Sequence, residues 1–302
     1  MEWRGHDLGP WSLGTAQLGL AYGVANRHGQ PDEERAHDIV RSALSRDVVL
    51  FDTATAYGDS QKVLGRALAA AGGTKRAQVI TKLTDKELFS EDVEAVVERS
   101  LREVGVKAFF GILAHSVGSV VHGEKLNAIF ARLKQRGLVQ FCGVSVYSAE
   151  EASAALVLTE VELVQMPLNV LDRGALRVID RAHAQDKLLV FRSALLQGLL
   201  VMHELPPRLR FAESLLSKWR QICVELKMEP QVLAVQIASR LADGFPLVIG
   251  AELESQVREN CDILQHVPAN IDEVVARTSS LADATPENLR NPSLWPQAVP
   301  NA

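Results

Sequence analysis

The sequence predicts an α/β fold: a (β/α)₈ TIM barrel with a short N-terminal hairpin and an irregular C-terminal tail. Short and almost wholly apolar segments, which suit buried parallel strands, alternate along the chain with segments of helical periodicity. Eight such strand–helix units follow one another within about 250 residues, which suits a closed barrel better than a doubly wound sheet. No linker or change of composition divides the chain, so we expect one domain over residues 1–302.

The hairpin is expected in the Gly-rich segment 3–11, and buried strands follow it at regular intervals. A typical strand is 48–52, in which four apolar residues precede Asp52. The full set of expected strands is 11–17, 48–52, 78–82, 109–114, 139–145, 162–166, 188–191 and 246–250.

Helices are expected between these strands. Asp32 precedes an apolar stripe at helical spacing, and Gly72 follows another such stripe, so they suit the start of one helix and the end of the next. A long connection, 195–212, is expected to lack regular structure, and the tail from Pro268 is expected to hold one more helix before the prolines at 286, 292, 296 and 300 make it irregular. The helices preceding that tail are predicted over 33–46, 60–71, 90–104, 124–136, 149–159, 173–185, 213–227, 230–242 and 253–265.

An open Rossmann-type sheet is the alternative fold. It would require G-x-G-x-x-G after the first strand and an acidic residue about 20 positions later. The first loop has Gly14, Gly19 and Gly23, which are not at that spacing, and the chain contains no G-x-x-x-x-G-K-[ST] phosphate loop.

Charge and composition exclude several classes of function. A net charge of −5 and a pI near 5.9 argue against nucleic acid or an anionic membrane as the main partner. The sequence shows neither a secretory leader nor an apolar run of about 18 residues, so we expect a cytoplasmic protein without a membrane span. Cys142, Cys223 and Cys261 lie far apart and without zinc-site spacing, which indicates reduced thiols used in packing and no metal site.

Polar residues end several of the expected strands, and parallel strands of a barrel bring their carboxyl ends to one mouth. A phenol, that of Tyr57, lies on the loop after the second strand. The strand-end residues are Asp52, Lys82, His115, Ser145 and Gln165.

This set of groups suits proton transfer to a carbonyl oxygen. A phenol is a poor acid near neutrality, and an adjacent ammonium such as that of Lys82 favours its phenolate form. A carboxylate such as that of Asp52 keeps a buried lysine charged, and the His115 imidazole can orient a substrate oxygen. Each residue alone also has a structural explanation, as a helix cap, a solvated lysine or a core histidine. Their occurrence on three consecutive strands is what favours a site.

The chain resembles the aldo-keto reductase superfamily in an ordered set of short motifs that covers residues 8–265. Any one motif is weak evidence, whereas the ordered set is specific. The segments are Gly14-Thr15-Ala16-Gln17-Leu18-Gly19, Phe51-Asp52-Thr53-Ala54 with Tyr57-Gly58, Thr81-Lys82, Ala114-His115, Gly143-Val144-Ser145, Gln165-Met166-Pro167-Leu168-Asn169, Leu196-Gln197-Gly198-Leu199-Leu200, and Val248-Ile249-Gly250-Ala251 with Arg258-Glu259-Asn260.

The resemblance implies an NAD(P)(H)-dependent oxidoreductase that transfers a hydride between nicotinamide and a carbonyl carbon. It implies that Tyr57 is the general acid/base, that Lys82 tunes Tyr57, that Asp52 pairs with Lys82 and that His115 orients the carbonyl. NADP(H) is the expected cofactor and NAD(H) the alternative. The residues that the resemblance places against the cofactor are Gly14, Thr15, Ala16, Asp52, Ser145, Gln165, Arg192, Gly250, Ala251, Gln256, Glu259 and Asn260.

Three positions depart from the family pattern. Val146 replaces the Asn that commonly follows the strand-five Ser. Arg192 stands where an aromatic often stacks on nicotinamide, and it could stack there, reach the cofactor pyrophosphate, bind an anionic substrate group or pair with a barrel carboxylate. Glu252 and Glu254 occupy a region that often carries a basic residue for the 2′-phosphate, which weakens the preference for NADP(H), although Arg258 could still reach that phosphate.

The substrate is expected to be a small aldehyde, ketone or sugar, bound by Tyr22, Tyr57, His115 and Tyr147. Two other functions remain open: an NAD-dependent aldose or alcohol dehydrogenase, and a non-catalytic nucleotide-sensing regulatory subunit with a protein partner. The presence of all four catalytic-type residues favours an enzyme. The sequence leaves the oligomeric state open.

Overall fold

Eight parallel strands form a closed barrel in the computed structural model, which describes residues 1–116 and 118–296. The strands are β3 (Trp11–Gly14), β4 (Leu50–Asp52), β5 (Gln78–Leu83), β6 (Phe109–Ala114), β7 (Val139–Ser145), β8 (Leu163–Pro167), β9 (Leu188–Arg192) and β10 (Leu247–Gly250), preceded by an antiparallel hairpin of β1 (Glu2–Trp3) and β2 (His6–Asp7). The order around the barrel is β10-β3-β4-β5-β6-β7-β8-β9, so the predicted TIM barrel with its N-terminal hairpin is confirmed.

The strand register brings the predicted strand-end residues to one mouth. Gly14 pairs with Asp52 between β3 and β4, and Ser145 pairs with Gln165 between β7 and β8. β4 and β8 lie diametrically opposite each other in the order of eight. Side chains at their carboxyl ends therefore face one another across the barrel.

Helices cover the outside of the barrel. The first long helix, Glu33–Ser45, is typical: Asp32 accepts a hydrogen bond from the Arg35 N–H at 3.0 Å, which satisfies one free donor at the helix start, and Ile39 and Val40 lie on its buried face. The α-helices are Ala16–Gly19, Glu33–Ser45, Ser60–Ala70, Asp85–Leu88, Val93–Val104, Gly118–Val121, Gly123–Gln135, Ala149–Ala155, Ile179–Ala184, Glu213–Leu226, Pro230–Leu241, Glu254–Gln265, Ile271–Arg277, Ser279–Ala284 and Glu287–Arg290, and the 3₁₀ helices are Gly174–Arg177, Leu196–Val201, Pro207–Ala212 and Pro292–Leu294. Within the described ranges, no helix combines the length and apolar character needed to cross a membrane.

The hairpin packs against the amino-terminal part of the barrel. The Trp3 ring is 5% exposed and lies 4.5 Å from the Phe141 ring and 6.3 Å from the Phe110 ring, measured between centroids. This end of the barrel is therefore covered by aromatic side chains, and the opposite end remains as the mouth.

Several predicted boundaries were wrong. The first strand ends at Gly14 instead of residue 17, because the chain turns into the helix Ala16–Gly19 directly after Thr15. The helix predicted over 173–185 is divided into a 3₁₀ helix and a shorter α-helix, and the connection 195–212 contains two 3₁₀ helices.

The tail is more helical than expected. Three short α-helices and a 3₁₀ helix lie between Ile271 and Leu294, where one helix and an irregular segment were predicted. Pro286 and Pro292 are found at helix starts, where the missing N–H of proline removes no helical hydrogen bond. They therefore mark where helices begin and do not prevent helix formation. Pro300 lies outside the described residues.

Candidate active site

The centre of the site is a buried ion pair between Asp52 at the end of β4 and Lys82 near the end of β5. Lys82 Nζ donates hydrogen bonds to Asp52 Oδ1 at 2.8 Å and to Oδ2 at 2.7 Å, and a further one to the Thr53 carbonyl at 3.1 Å. The two residues are only 1% and 4% exposed. Burial alone would lower the pKa of Lys82, but the Asp52 carboxylate and the Tyr57 oxygen outweigh it and raise that pKa above its usual value. Lys82 is therefore held as a charged ammonium.

Tyr57 presents its phenol to this ammonium. The Tyr57 hydroxyl oxygen lies 3.4 Å from Lys82 Nζ, and the loop that carries it is fixed by main-chain contacts. The Ser60 N–H donates to the Tyr57 carbonyl at 3.1 Å. Gly19 lies directly against that same carbonyl, where a Cβ atom would overlap the carbonyl oxygen. The main chain of two loops thus sets the position of the phenol.

His115 follows β6 and stands edge-on to Tyr57. The two rings are 5.8 Å apart between centroids and inclined at 81°. Burial and then the nearby Lys82 charge lower the pKa of His115 to about 4, against a usual value of 6.5. The imidazole is consequently neutral at pH 7, where it can donate one hydrogen bond without carrying charge.

Two carboxylates that sequence reasoning missed hold the loops of the site. Glu87 accepts hydrogen bonds from the Thr55 hydroxyl at 2.6 Å and from the Thr84 N–H at 3.0 Å, which ties the Tyr57 loop to the start of a helix. Asp85 accepts from the Ser116 hydroxyl at 2.7 Å, directly after His115. The T-x-x-E spacing of a capping box was the available sequence signal for Glu87.

Gln165 reaches Asp52 from the opposite side of the barrel. Its Nε2 donates to Asp52 Oδ1 at 2.7 Å, while its buried Oε1 has no hydrogen-bond partner among the described residues. Ser145, 5% exposed, pairs with Gln165 in the strand register. A buried amide oxygen without a partner is costly unless a ligand donor satisfies it.

A cleft of about 1260 Å³, part of it open to solvent, begins at Asp52 and Tyr57. Most of the residues predicted to bind the cofactor line it: Gly14, Thr15, Ala16, Asp52, Arg192, Gly250, Ala251, Gln256 and Asn260, together with the predicted substrate residue Tyr22. Glu252, which the resemblance places near the 2′-phosphate, also lines it, as do residues for which the sequence indicated no role, among them Gln17, Arg27, His28, Gln197, Gly198 and Gln231.

The segment after β10 forms the far part of this cleft. Gln256 Oε1 accepts from the Glu252 N–H at 2.6 Å, and the buried Asn260 accepts from Gln231 Nε2 at 3.4 Å. Glu259 does not line the cleft; it is exposed and borders a neighbouring hollow. Arg258 is exposed and paired with Glu254 at 3.0 Å.

Arg192 ends β9 and is held from two sides. Its Nη2 donates to the Val146 carbonyl at 3.0 Å, and its guanidinium carbon lies 4.3 Å from the centre of the Tyr147 ring. Tyr147 itself is 39% exposed at the rim.

Burial, followed by the neighbouring Tyr57, raises the pKa of Tyr22 to about 12, so Tyr22 is neutral at pH 7.

No metal site is evident in residues 1–116 and 118–296, where no group of three or more His, Cys, Asp or Glu side chains converges. Cys142, Cys223 and Cys261 are free and buried. Burial raises the pKa of the Cys223 thiol to about 12, which leaves it unreactive as a nucleophile.

Comparison with known proteins agrees with this architecture. The aldo-keto reductase YhdN of Bacillus subtilis is 28% identical over 178 residues, which cover 55% of this chain and 50% of YhdN, so this match spans about half the length of that relative. The holo form of the aldo-keto reductase AKR11C1 from Bacillus halodurans superposes with a TM-score of 0.77 at 20% identity, over 95% of this chain and 97% of that one. The glycerol dehydrogenase AKR11B4 from Gluconobacter oxydans gives a TM-score of 0.76 at 22% identity, over 95% and 96%. These structures share the fold.

The sequence profile of the Aldo/keto reductase family matches residues 10–281, nearly the whole barrel. The resemblance inferred from the ordered motifs is thereby confirmed, and the chain belongs to the aldo/keto reductase family of oxidoreductases.

Proposed function

We propose that this protein is an NAD(P)(H)-dependent oxidoreductase that transfers a hydride between nicotinamide and the carbonyl carbon of a small aldehyde, ketone or sugar, with Tyr57 as general acid/base. The observation that carries this proposal is the Tyr57 hydroxyl 3.4 Å from Lys82 Nζ, at the mouth of a long cleft. Lys82 is in turn held charged by both oxygens of Asp52.

The residues of the cleft fit a nicotinamide dinucleotide. Outside the lining of this cleft, Gln165 Oε1 has no partner among the described residues, and Ser145 is its neighbour in the strand register; an amide oxygen and a hydroxyl suit the two ends of a carboxamide. Gly250 ends β10 in the cleft wall, and the Gln17 side chain packs directly against it, so that a Cβ atom at this position would collide with the Gln17 amide. When bound, the cofactor supplies or accepts the hydride.

The cofactor preference follows from two opposing considerations. Family resemblance favours NADP(H), whereas Glu252, a half-buried carboxylate in the cleft, disfavours a 2′-phosphate and favours NAD(H). We propose NADP(H) as the first cofactor to test and NAD(H) as the alternative. The free, buried cysteines support a reducing, cytoplasmic setting.

The proton path runs through Tyr57. As the carbonyl carbon is reduced, negative charge develops on the carbonyl oxygen, and the Tyr57 hydroxyl donates its proton there. The Lys82 ammonium stabilises the phenolate that remains, and Asp52 prevents Lys82 from losing its own proton. In the oxidative direction the phenolate takes the proton back from the alcohol.

His115 contributes orientation and not a proton. Because the pKa of His115 is lowered to about 4, it stays neutral throughout the physiological range. Its ring N–H can hydrogen-bond to the substrate oxygen beside Tyr57, which is 5.8 Å away between ring centroids. The proton donor and the orienting donor are thus distinct groups.

The test is turnover of NADPH and NADH with a panel of small aldehydes, and of NADP⁺ and NAD⁺ with sugars. Tyr57→Phe should lower kcat by roughly 10²- to 10⁴-fold and leave cofactor affinity intact, since it removes only the transferred proton. Tyr22→Phe is the comparison: it removes another phenol hydroxyl from the same cleft and should affect substrate binding and lower kcat far less, because it leaves the proposed acid in place.

Two outcomes would contradict the proposal in different ways. Unchanged turnover in Tyr57→Phe would exclude Tyr57 as the acid. Tight cofactor binding with no turnover of any aldehyde or sugar would favour the nucleotide-sensing alternative.

A further inference from the structure

We infer that Arg192, clamped at the mouth of the cleft between the Val146 carbonyl and the Tyr147 ring, receives an anionic group of the carbonyl substrate. The inference rests on the proposed function and narrows it: the physiological substrate is an aldehyde or ketone that also carries a carboxylate or phosphate. Among the roles that the sequence left open for Arg192, this inference selects the contact with an anionic substrate group over the contact with the cofactor.

Arg192 is held in a fixed orientation with donors to spare. Nη2 donates to the Val146 carbonyl at 3.0 Å, Nη1 lies 3.3 Å from the Ser193 hydroxyl, and the Tyr147 ring stacks on the guanidinium. A guanidinium has five N–H donors, so at least three stay available. Their planar arrangement matches the two oxygens of a carboxylate or phosphate.

No carboxylate of the described residues pairs with this guanidinium. Asp172 senses the Arg192 charge, but its carboxylate accepts from the Gly174 N–H at 3.1 Å and forms no ion pair with Arg192. The sequence left open that Arg192 pairs with a barrel carboxylate. Residues 1–116 and 118–296 contain no such ion pair. A half-buried cation without a counter-charge attracts an anion.

The other groups at the mouth leave this charge uncompensated. Lys82 and Asp52 neutralise each other at 2.7 Å. His115 and Tyr22 are both neutral at pH 7, with pKa values of about 4 and about 12. The Glu87 carboxylate also acts on His115, but it is bound to Thr55 and Thr84. Among the described residues, Arg192 is thus a cation near the reacting groups without an ion-pair partner.

The remaining charged groups of the cleft do not take over this role. Arg27 and His28 are exposed to solvent, and water screens the charge of Arg27. Glu252 is half-buried and carries the opposite sign. A substrate anion therefore finds its best partner in the half-buried, unpaired Arg192.

Arg192 lines the same cleft as Tyr57, and its charge acts on the neighbouring site residues. Burial and Lys82 are the main causes of the low pKa of His115, and the Arg192 charge adds to them. The same charge opposes the effect of burial on Tyr22. A substrate whose carbonyl meets Tyr57 can therefore place an anionic group of the same molecule against Arg192 within this cleft.

The experiment compares an acid with its neutral amide. Succinic semialdehyde and 4-oxobutanamide are titrated calorimetrically into the full chain saturated with NADP⁺, or with NAD⁺ if only that binds, or into the free protein if neither does. We expect the wild type to bind the acid roughly 10- to 100-fold more tightly than the amide, which is the effect of a charge-assisted hydrogen bond. A second comparison, of the affinities for D-glyceraldehyde 3-phosphate and D-glyceraldehyde, then shows whether the site accepts a phosphate or only a carboxylate.

Variants test whether Arg192 causes the tighter binding of the acid. Arg192→Gln should abolish the preference for the acid, and Arg192→Lys should retain part of it, because the charge stays while the planar donors are lost. Arg27→Gln is the control, since it removes a cation from the same cleft at an exposed position, and it should keep the full preference.

Three results would overturn the inference. One is equal binding of acid and amide by the wild type, which needs no variant. Another is a preference that survives in Arg192→Gln or disappears in Arg27→Gln. The third is an Arg192→Gln protein that binds NADP⁺ itself more weakly while keeping the ratio of acid to amide, which would place Arg192 on the cofactor pyrophosphate. If the protein prefers the acid but transfers no hydride to any aldehyde, this inference stands and the proposed reaction is refuted. If it transfers hydride without preferring the acid, the proposed reaction stands and this inference is refuted.

Discussion

Replacing Lys82 by Met should cost far more stability than a single lysine usually contributes. Lys82 Nζ makes contacts of 2.8, 2.7 and 3.1 Å to Asp52 Oδ1, Asp52 Oδ2 and the Thr53 carbonyl, and both charged side chains are at least 95% buried. Met fills a similar volume but leaves the Asp52 carboxylate buried with only Gln165 as a side-chain partner. Removing one partner of a buried pair costs about 3 to 5 kcal/mol, because the other charge stays uncompensated.

The double variant Asp52→Asn with Lys82→Met separates the ion pair from the rest of the packing. It removes both charges, so no uncompensated charge remains in the barrel. Its cost should therefore fall short of the sum of the two single costs, by about 1 to 3 kcal/mol of coupling. Arg258→Met is the control, because it breaks an exposed pair with Glu254 that is expected to contribute less than about 1 kcal/mol.

The measurement is the free energy of unfolding in urea, followed by tryptophan fluorescence, for which four tryptophans, including the fully buried Trp219, provide the signal. The reasoning is refuted if Lys82→Met costs no more than Arg258→Met. It is also refuted if the single costs of Asp52→Asn and Lys82→Met simply add, since independent sites would do so.

Two other residues give predictions of a different kind. Because the pKa of His115 lies near 4 in the folded protein and near 6.5 in the unfolded chain, protons bind preferentially to the unfolded chain between these values, and stability is lost as the pH falls from 6.5 to 4. Unfolding free energies measured across this range should therefore drop by up to about 3 kcal/mol more in the wild type than in His115→Gln, and parallel profiles would contradict the assignment. Glu252→Gln should raise the affinity for NADPH relative to NADH by roughly fivefold, the factor that about 1 kcal/mol of screened repulsion gives, measured by fluorescence titration of both cofactors; an unchanged ratio would show that Glu252 does not face the 2′-phosphate.

Much of the barrel could be predicted because buried parallel strands have a simple sequence signal. The segment ending at Asp52 is apolar and bounded by helical periodicity, and the next strand carries Lys82 at the corresponding end. The register pairs Asp52 with Ile80, and Lys82 lies two residues further along β5 on the same face, so the fold class brings the two side chains to neighbouring positions at one mouth. The same reasoning placed His115 beside them.

Contacts that depend on barrel closure or on loop conformation could not be predicted in this way. The Gln165–Asp52 hydrogen bond joins strands on opposite sides of the barrel, and the sequence contains no local signal for it. The stacking of Tyr147 on Arg192 joins the segments that follow β7 and β9, and Ser193 in the second segment adopts φ 65°, a left-handed conformation that its residue type does not predict. Glu259, which the resemblance places against the cofactor, is exposed beside the buried Asn260 and borders a neighbouring hollow, a difference that the motif alone does not show.

The hydrogen bond from Gln165 to Asp52 also has a consequence for how the protein assembles during folding. It joins residues 113 positions apart, and β4 and β8 are opposite strands in the order of the barrel. Asp52, Tyr57, Lys82 and His115 all belong to the first half of the chain, whereas Gln165 and Arg192 belong to the second. Neither half holds the whole constellation, and the entropy of closing so long a loop must be met before the two sets come together. The polar mouth is therefore complete only when β8 and β9 have joined the barrel. A fragment that ends before β8 would carry Asp52, Tyr57, Lys82 and His115 without Gln165 and Arg192.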